Sequence, residues 1–458
     1  MEGEFSGIFG GVVMCDQSLT LHSSAENAMI YNRGTTGSYQ AWADAVDDQS
    51  WTLDNLLPYF ARGVNLTMVN PNNTVRAANA SHIPPPANPN SYNSSGGPLH
   101  ISYPNSAVPY GSWAALGMKQ LGFPTQQDFI SGNLLGAQYA PVTVAPESQT
   151  RSSSQASFLQ AAIDKGMTNL KVYTHTLAKQ VLFNGDKNAT GVRVISGSGN
   201  PYILSAKSEV IVSAGAFQSP QLLMVSGVGP KDQLEKHNIT VLADRPGVGQ
   251  NMWDHLDFGP SYHVALQGLT LAPSVENQDA VDQYIGNRTG FLTSPGVDWI
   301  GWEKLPAASR ANFTQTAISD LAQFPADWPE VEYEVTEAPL SVDKQVAGTI
   351  IAIPVSPLSR GTVTLASNDT KDLPVIDPRW LTSQTDVQVA IEAFKRARAM
   401  TQTSSMQPIL LGPELSPGLN VTTDAQIYEW IKNNSYMNWH ASCTCTKPCH
   451  ACTIWTWF

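Results

Sequence analysis

Ser213-Ala-Gly-Ala-Phe-Gln-Ser-Pro-Gln-Leu-Leu-Met-Val-Ser-Gly-Val-Gly229 follows directly on the run Glu209-Val-Ile-Val-Ser213, and that junction decides the fold class. The run is short, apolar and β-branched, as a buried strand is. Gly215 permits a sharp turn. Ser219 is placed to cap a helix with Pro220 at its first position, and Gly227 is placed to end it. A strand that turns through glycine into a helix is the unit of α/β folds, and it brings backbone N–H groups to a ligand.

The totals set bounds around that junction. The 458 residues are enough for one large or two ordinary domains with real cores. A chain that is 42% hydrophobic and 14% charged is globular rather than disordered. A formal charge of −12 argues against a nucleic-acid partner. No window holds the roughly 18 uncharged apolar residues of a membrane span. Met1-Glu-Gly-Glu-Phe5 has no basic stretch leading into an apolar one, so no signal peptide is visible in this chain. Yet Asn-x-Ser/Thr sites recur at Asn65, Asn72, Asn79, Asn93, Asn188, Asn238, Asn287, Asn312, Asn368, Asn420 and Asn433. This density points to a secreted or endomembrane protein, or else to chance in a chain rich in Asn, Ser and Thr.

Along the chain, residues 1–22 form an atypical leader. Gly7, Gly10 and Gly11 lack the Gly-x-Gly-x-x-Gly spacing, and no strand–helix unit is evident around them. Trp51 to Phe60 has helical spacing through Leu53, Leu56, Leu57 and Phe60, and Trp113 to Gly122 reads as another helix. Residues 63–112, rich in Asn, Pro and Ser, form a long excursion. Four β segments follow, Leu170–Thr174, Ala178–Phe183, Ala189–Ser196 and Tyr202–Ser205, with Asn184-Gly and Gly197-Ser-Gly as turns. Glu330-Val-Glu-Tyr-Glu-Val335 alternates as a half-exposed strand does, and Gly348–Val355 reads as a buried one, so residues 256–356 form an antiparallel sheet. Asp386 to Met400 is helical, and Thr423 with Gln426 forms a candidate capping box for the next helix.

Several segments carry a family resemblance. Ser23-Ser-Ala-Glu-Asn-Ala-Met-Ile-Tyr-Asn-Arg-Gly-Thr35, the opening stretch, Pro246-Gly-Val-Gly-Gln-Asn-Met-Trp-Asp-His255, Pro357–Leu365 with Pro374–Trp380, and Asn438-Trp-His-Ala-Ser-Cys-Thr-Cys445 together resemble the glucose–methanol–choline (GMC) oxidoreductases, in particular fungal members of secondary-metabolite pathways. The resemblance implies an α/β fold of mixed α+β character. Residues 23–255 would be the FAD-binding region, 256–356 the substrate-domain sheet and 357–445 the C-terminal region. It implies FAD as cofactor and a small-molecule alcohol as substrate. Asn27 and Ala28 would lie beside the flavin, Val181 would offer its backbone to the adenine, and Asn251, Asp254 and His255 would sit in a loop against the cofactor. His440 matches the first catalytic histidine: an imidazole near neutral pKa takes the hydroxyl proton as hydride leaves carbon for the flavin. Taken without the family, Asp254-His255 also suits a pH-sensitive or metal pair, but no partner follows at useful spacing.

The resemblance is incomplete at both ends. Leu21-His22 stands where the family has a glycine pair, and the Gly-x-Gly-x-x-Gly turn with its acidic ribose partner is missing, so the dinucleotide-binding unit is incomplete. After Cys445 the expected second catalytic His or Asn is replaced by Thr446-Lys-Pro-Cys-His-Ala-Cys-Thr-Ile-Trp-Thr-Trp-Phe458. The expectation is a fragment, impaired in FAD binding, whose residues 446–458 are an atypical tail from a shifted frame or retained intron. Cys443, Cys445, Cys449, His450 and Cys452 cluster near His440, but their spacings form no paired zinc knuckle, so no metal site is assigned. The alternatives are a GMC-derived cyclase or dehydratase and a non-catalytic secreted glycoprotein. Oligomeric state is not legible.

Overall fold

The computed structural model describes residues 12–14 (as backbone), 24–69, 84–93, 96–266, 278–338 and 346–445. Gly7, Gly10, Gly11, Leu21-His22, Asn72, Asn79 and the tail from Thr446, with Cys449, His450 and Cys452, lie outside the described residues.

A five-stranded antiparallel sheet forms one half of the structure. Its order is Ser261–His263, Ala347–Pro354, Val331–Ala338, Val297–Glu303, Gly136–Tyr139. The two central strands pair without interruption from Val331 opposite Pro354 to Ala338 opposite Ala347. Strand periodicity then sorts their side chains onto two faces. Tyr333, Val335, Ile350 and Ala352 go to one face, in a core shared with Tyr110, Ala114 and Met118 of the helix Pro109–Gln120 and Ala390, Phe394 and Ala397 of the helix Gln384–Thr401. On the neighbouring strand Val297–Glu303, Ile300 and Trp302 go to the other face, where they pack with Phe129 and Leu134. Covered on both sides, the strand from Val331 is more buried than the half-exposed reading allowed: even Glu332 is 8% exposed.

The other half is built on the opening stretch. The meander Thr176–Phe183, Ala189–Ser196, Pro201–Ser205 is antiparallel, and Leu170–Thr174, expected as a strand, has no strand pairing. Val181, Val192 and Val194 pack against Leu222, Leu223 and Val225 of the helix Gly215–Val225. The preceding strand, Val210–Val212, pairs in parallel with Val12–Met14. That corrects the reading of residues 1–22: the three-residue Val-Val-Met run was too short to register as periodic, yet it supplies the parallel partner an apolar strand needs.

The helix also begins earlier than its residues suggested. It starts at Gly215, with φ +76, and contains Ser219 and Pro220. Ser219 Oγ accepts from the Ala214 N–H at 3.0 Å, so it closes the turn from inside the helix rather than capping it. Pro220 has no N–H to give the carbonyl four residues back. That carbonyl, Ala216 O, accepts instead from Thr444 Oγ1 at 2.6 Å. The expected end at Gly227 (φ +87) holds, its N–H bonded to Met224 O.

Thr444 belongs to a second junction. Residues 248–257 run between two other segments. On one side Val363 N–H donates to Gly249 O at 2.7 Å, and Met252 and Gly361 exchange bonds of 2.9 and 2.8 Å. On the other, Gly249 N–H donates to Thr444 O at 2.7 Å, Trp253 and Ser442 exchange bonds of 3.0 and 2.8 Å, and Leu256–Asp257 pairs antiparallel with Tyr436–Met437. Gly249 is pinched between them at φ +77, where a Cβ would lie 2.2 Å from Val363 O. Both backbone conformation and space exclude a side chain, so Gly249→Ala is expected to lower unfolding stability by about 2–4 kcal/mol. Chemical denaturation checks this, and an unchanged midpoint would show that the junction is not rigid.

Candidate active site

The ladder between residues 253–257 and 436–442 sets the site. Trp253 faces Ser442 and Leu256 faces Met437, so three steps along one strand oppose five along the other. The surplus is taken up as a bulge, with Trp439 at φ +52 and its side chain 82% exposed. The bulge turns His440 back across the ladder to His255. Their Nδ1 atoms lie 3.0 Å apart, with ring planes at 85°.

His255 is held from its far side. Trp253, two residues earlier on the same extended strand, donates from Nε1 to His255 Nε2 at 3.2 Å. The Trp253 ring stacks on Trp328 at 6.0 Å, meets Phe324 edge-on at 6.1 Å, and carries the Arg360 guanidinium 4.0 Å from its centroid. Arg360 is fixed in turn by the Pro357 and Ser359 carbonyls. Next to Trp328, Asp327 Oδ2 accepts from the Gly37 N–H at 2.8 Å, which ties the start of the helix Thr36–Val46 to this aromatic cluster.

The electrostatics favour neutral imidazoles. Burial, with His440 and Arg360 adding to it, holds His255 well below the usual histidine range. Burial lowers His440 to about 4. Asp254, buried between the histidine-bearing segments, is pushed up to about 6 by burial; the His255 and His440 backbone and the Trp380 indole offset this only in part. Burial also raises Glu332 well above the ordinary carboxylate range and Glu334 to about 7, on the sheet face turned away from the helix Gln384–Thr401.

The residues named from the sequence thus fall into three places. Asn251 (φ +64), Asp254, His255 and His440 come together at the junction. Asn27 and Ala28 sit in a separate turn: Asn27 Oδ1 accepts from Met29 N–H and Arg151 Nη1, each at 2.9 Å, and Arg151 also reaches the Asn27 carbonyl. Val181 lies in the meander, its N–H donated to Ser226 Oγ at 2.8 Å, so only its carbonyl remains for a ligand. Trp253 and Arg360 were missed. The Trp-x-His spacing was a usable signal for the first, because residues two apart on a strand share a face. Nothing in the sequence places Arg360 over an indole 107 positions away.

A flavin fits what is present at the junction. Among the described residues no protein group bonds to His440 Nε2, and Asp254 Oδ1 and Asn438 Nδ2 are buried without hydrogen-bond partners. The open imidazole nitrogen suits a polar ring system that completes it. Val12–Met14 lies parallel to Val210–Val212, as strands of a dinucleotide-binding unit do. Residues 1–11 and 15–23, on either side of that strand, lie outside the described residues.

Comparison with known proteins agrees with this arrangement. Oxidoreductase cicC of Emericella nidulans is 43% identical over 433 residues, covering 92% of this chain and 70% of that protein. Patulin synthase of Aspergillus clavatus is 41% identical over 438 residues, covering 92% and 68%. Among solved structures, an FAD-dependent oxidoreductase from Chaetomium thermophilum superposes with a TM-score of 0.77 at 27% identity, covering 92% of this chain and 75% of that one. Two profiles described as GMC oxidoreductase match residues 22–257 and 357–446, so both strands of the histidine ladder lie in matched segments, and the chain belongs to the GMC oxidoreductase family.

Proposed function

We propose that this protein is an FAD-dependent oxidoreductase acting on the CH–OH group of a small-molecule alcohol, with His440 as the residue that takes the hydroxyl proton. The observation that carries the reading is the His255–His440 contact, which leaves one nitrogen of a neutral imidazole open at the family's catalytic segment. FAD supplies the hydride acceptor when bound. The chain supplies the rest: His440 handles the proton and His255 orients His440. In the FAD-loaded protein, His440→Ala is expected to lower kcat/KM by roughly 10²–10⁴-fold while leaving the visible spectrum of the bound flavin in place. An unchanged rate would remove His440 from the mechanism.

We also infer passage through a secretory compartment. Of the nine sequon asparagines among the described residues, eight are exposed, and Asn65 is half-buried. Exposure is what attachment of a glycan to these asparagines requires. No helix among the described residues is long and apolar enough to cross a membrane. Expression in a secretory host should give a chain whose mass falls on endoglycosidase treatment; a mass unaltered by the enzyme would contradict the assignment.

A further inference from the structure

The hydrogen bonds around the two histidines have a direction, and one residue sets it. An indole N–H can only donate. Trp253 therefore fixes His255 Nε2 as an acceptor, and a neutral His255 carries its single proton on Nδ1. That proton points at His440 Nδ1, 3.0 Å away, which must then accept. A neutral His440 so engaged carries its proton on Nε2, the nitrogen with no protein partner among the described residues. The reverse direction, from His440 to His255, places a proton on His255 Nε2 and sets it against the Trp253 N–H, two donors 3.2 Å apart.

We propose that Trp253 is a positioning residue that latches His440 in the Nε2–H tautomer through His255. This rests on the reading of His440 as the proton-handling group and deepens it. In the latched state His440 meets a substrate oxygen as a hydrogen-bond donor. To accept the hydroxyl proton at Nε2, both rings must exchange tautomer together: the shared proton crosses from His255 Nδ1 to His440 Nδ1, while the His440 Nε2 proton leaves to solvent and solvent returns one to His255 Nε2. Each ring keeps one proton and the pair stays neutral, but the Trp253 bond breaks. The latch is built into the packing, since Trp328, Phe324 and Arg360 hold the indole on three sides. The neutral state it requires at pH 7 agrees with the burial of both rings.

The test is ¹⁵N NMR of the full chain labelled at histidine, at pH 7, with the His440 signals identified among the nine histidines by their loss in His440→Gln. The latch predicts a pyrrole-type, protonated Nε2 and a pyridine-type, unprotonated Nδ1 for His440. The opposite assignment, or rapid averaging of both in the wild-type chain, would overturn it. This measurement needs neither FAD nor turnover, so it can fail while the proposed activity stands, and the reverse. Trp253→Phe keeps a ring against Trp328 and Arg360 but removes the N–H. It should release His440 into a mixture of tautomers, and retention of the single wild-type tautomer would show that the indole does not set it.

Discussion

Pro220 cannot donate to Ala216 O, and the rest of the site depends on what replaces that donor. A proline inside a helix leaves a carbonyl without its intrahelical partner, and here the vacancy is filled by Thr444 Oγ1, 228 residues further along the chain. Thr444 also accepts from Gly249 through its own carbonyl. One threonine thus anchors the C-terminal segment to the helix after the central strand and to the loop that carries His255. From that anchor the ladder runs back through Ser442 and Trp253 to the bulge, which carries His440 across to His255. The opening stretch is therefore the fixed point from which the segment carrying His440 is placed.

Burial gives the site its character. In a chain with a formal charge of −12, the buried ionisable groups shift towards neutrality. Asp254, Glu332 and Glu334 rise, and His255 and His440 fall, for one reason: a low-dielectric surround penalises the charged form of either sign. Two neutral imidazoles in contact are compatible with this environment, whereas a charged pair is not. Arg360 is the fixed charge that acts on His255, and it is held over an indole face and by two carbonyls.

Local chemistry was legible in the sequence; pairing across long separations was not. The Thr423–Gln426 capping box forms as its residues dictate, and so do the meander and the helices around Leu53 and Gln384. Those depend on neighbours within a few positions. The start of the helix at Gly215 was misjudged because Ser219 and Pro220 fit a cap equally well when Thr444 is unseen. The strand Val12–Met14 needed Val210–Val212 to exist at all. His440 was found by resemblance, and His255 was placed near the cofactor on the same ground, but their contact depends on a bulge whose residues have no distinctive composition. Trp253 shows the remaining gap: its spacing to His255 was visible, but its effect on His440 required the third member of the relay.

The account stands or falls on whether this fold uses a histidine to take the proton of an alcohol as hydride leaves its carbon for the flavin. The most direct measurement is anaerobic mixing of the FAD-loaded protein with an alcohol it converts, protonated or deuterated at the carbinol carbon, followed by visible absorbance. The account predicts that the flavin bands bleach, and that they bleach more slowly with the deuterated substrate. Conversion of the substrate while the flavin stays oxidised would contradict it and assign the site to a reaction without a redox step.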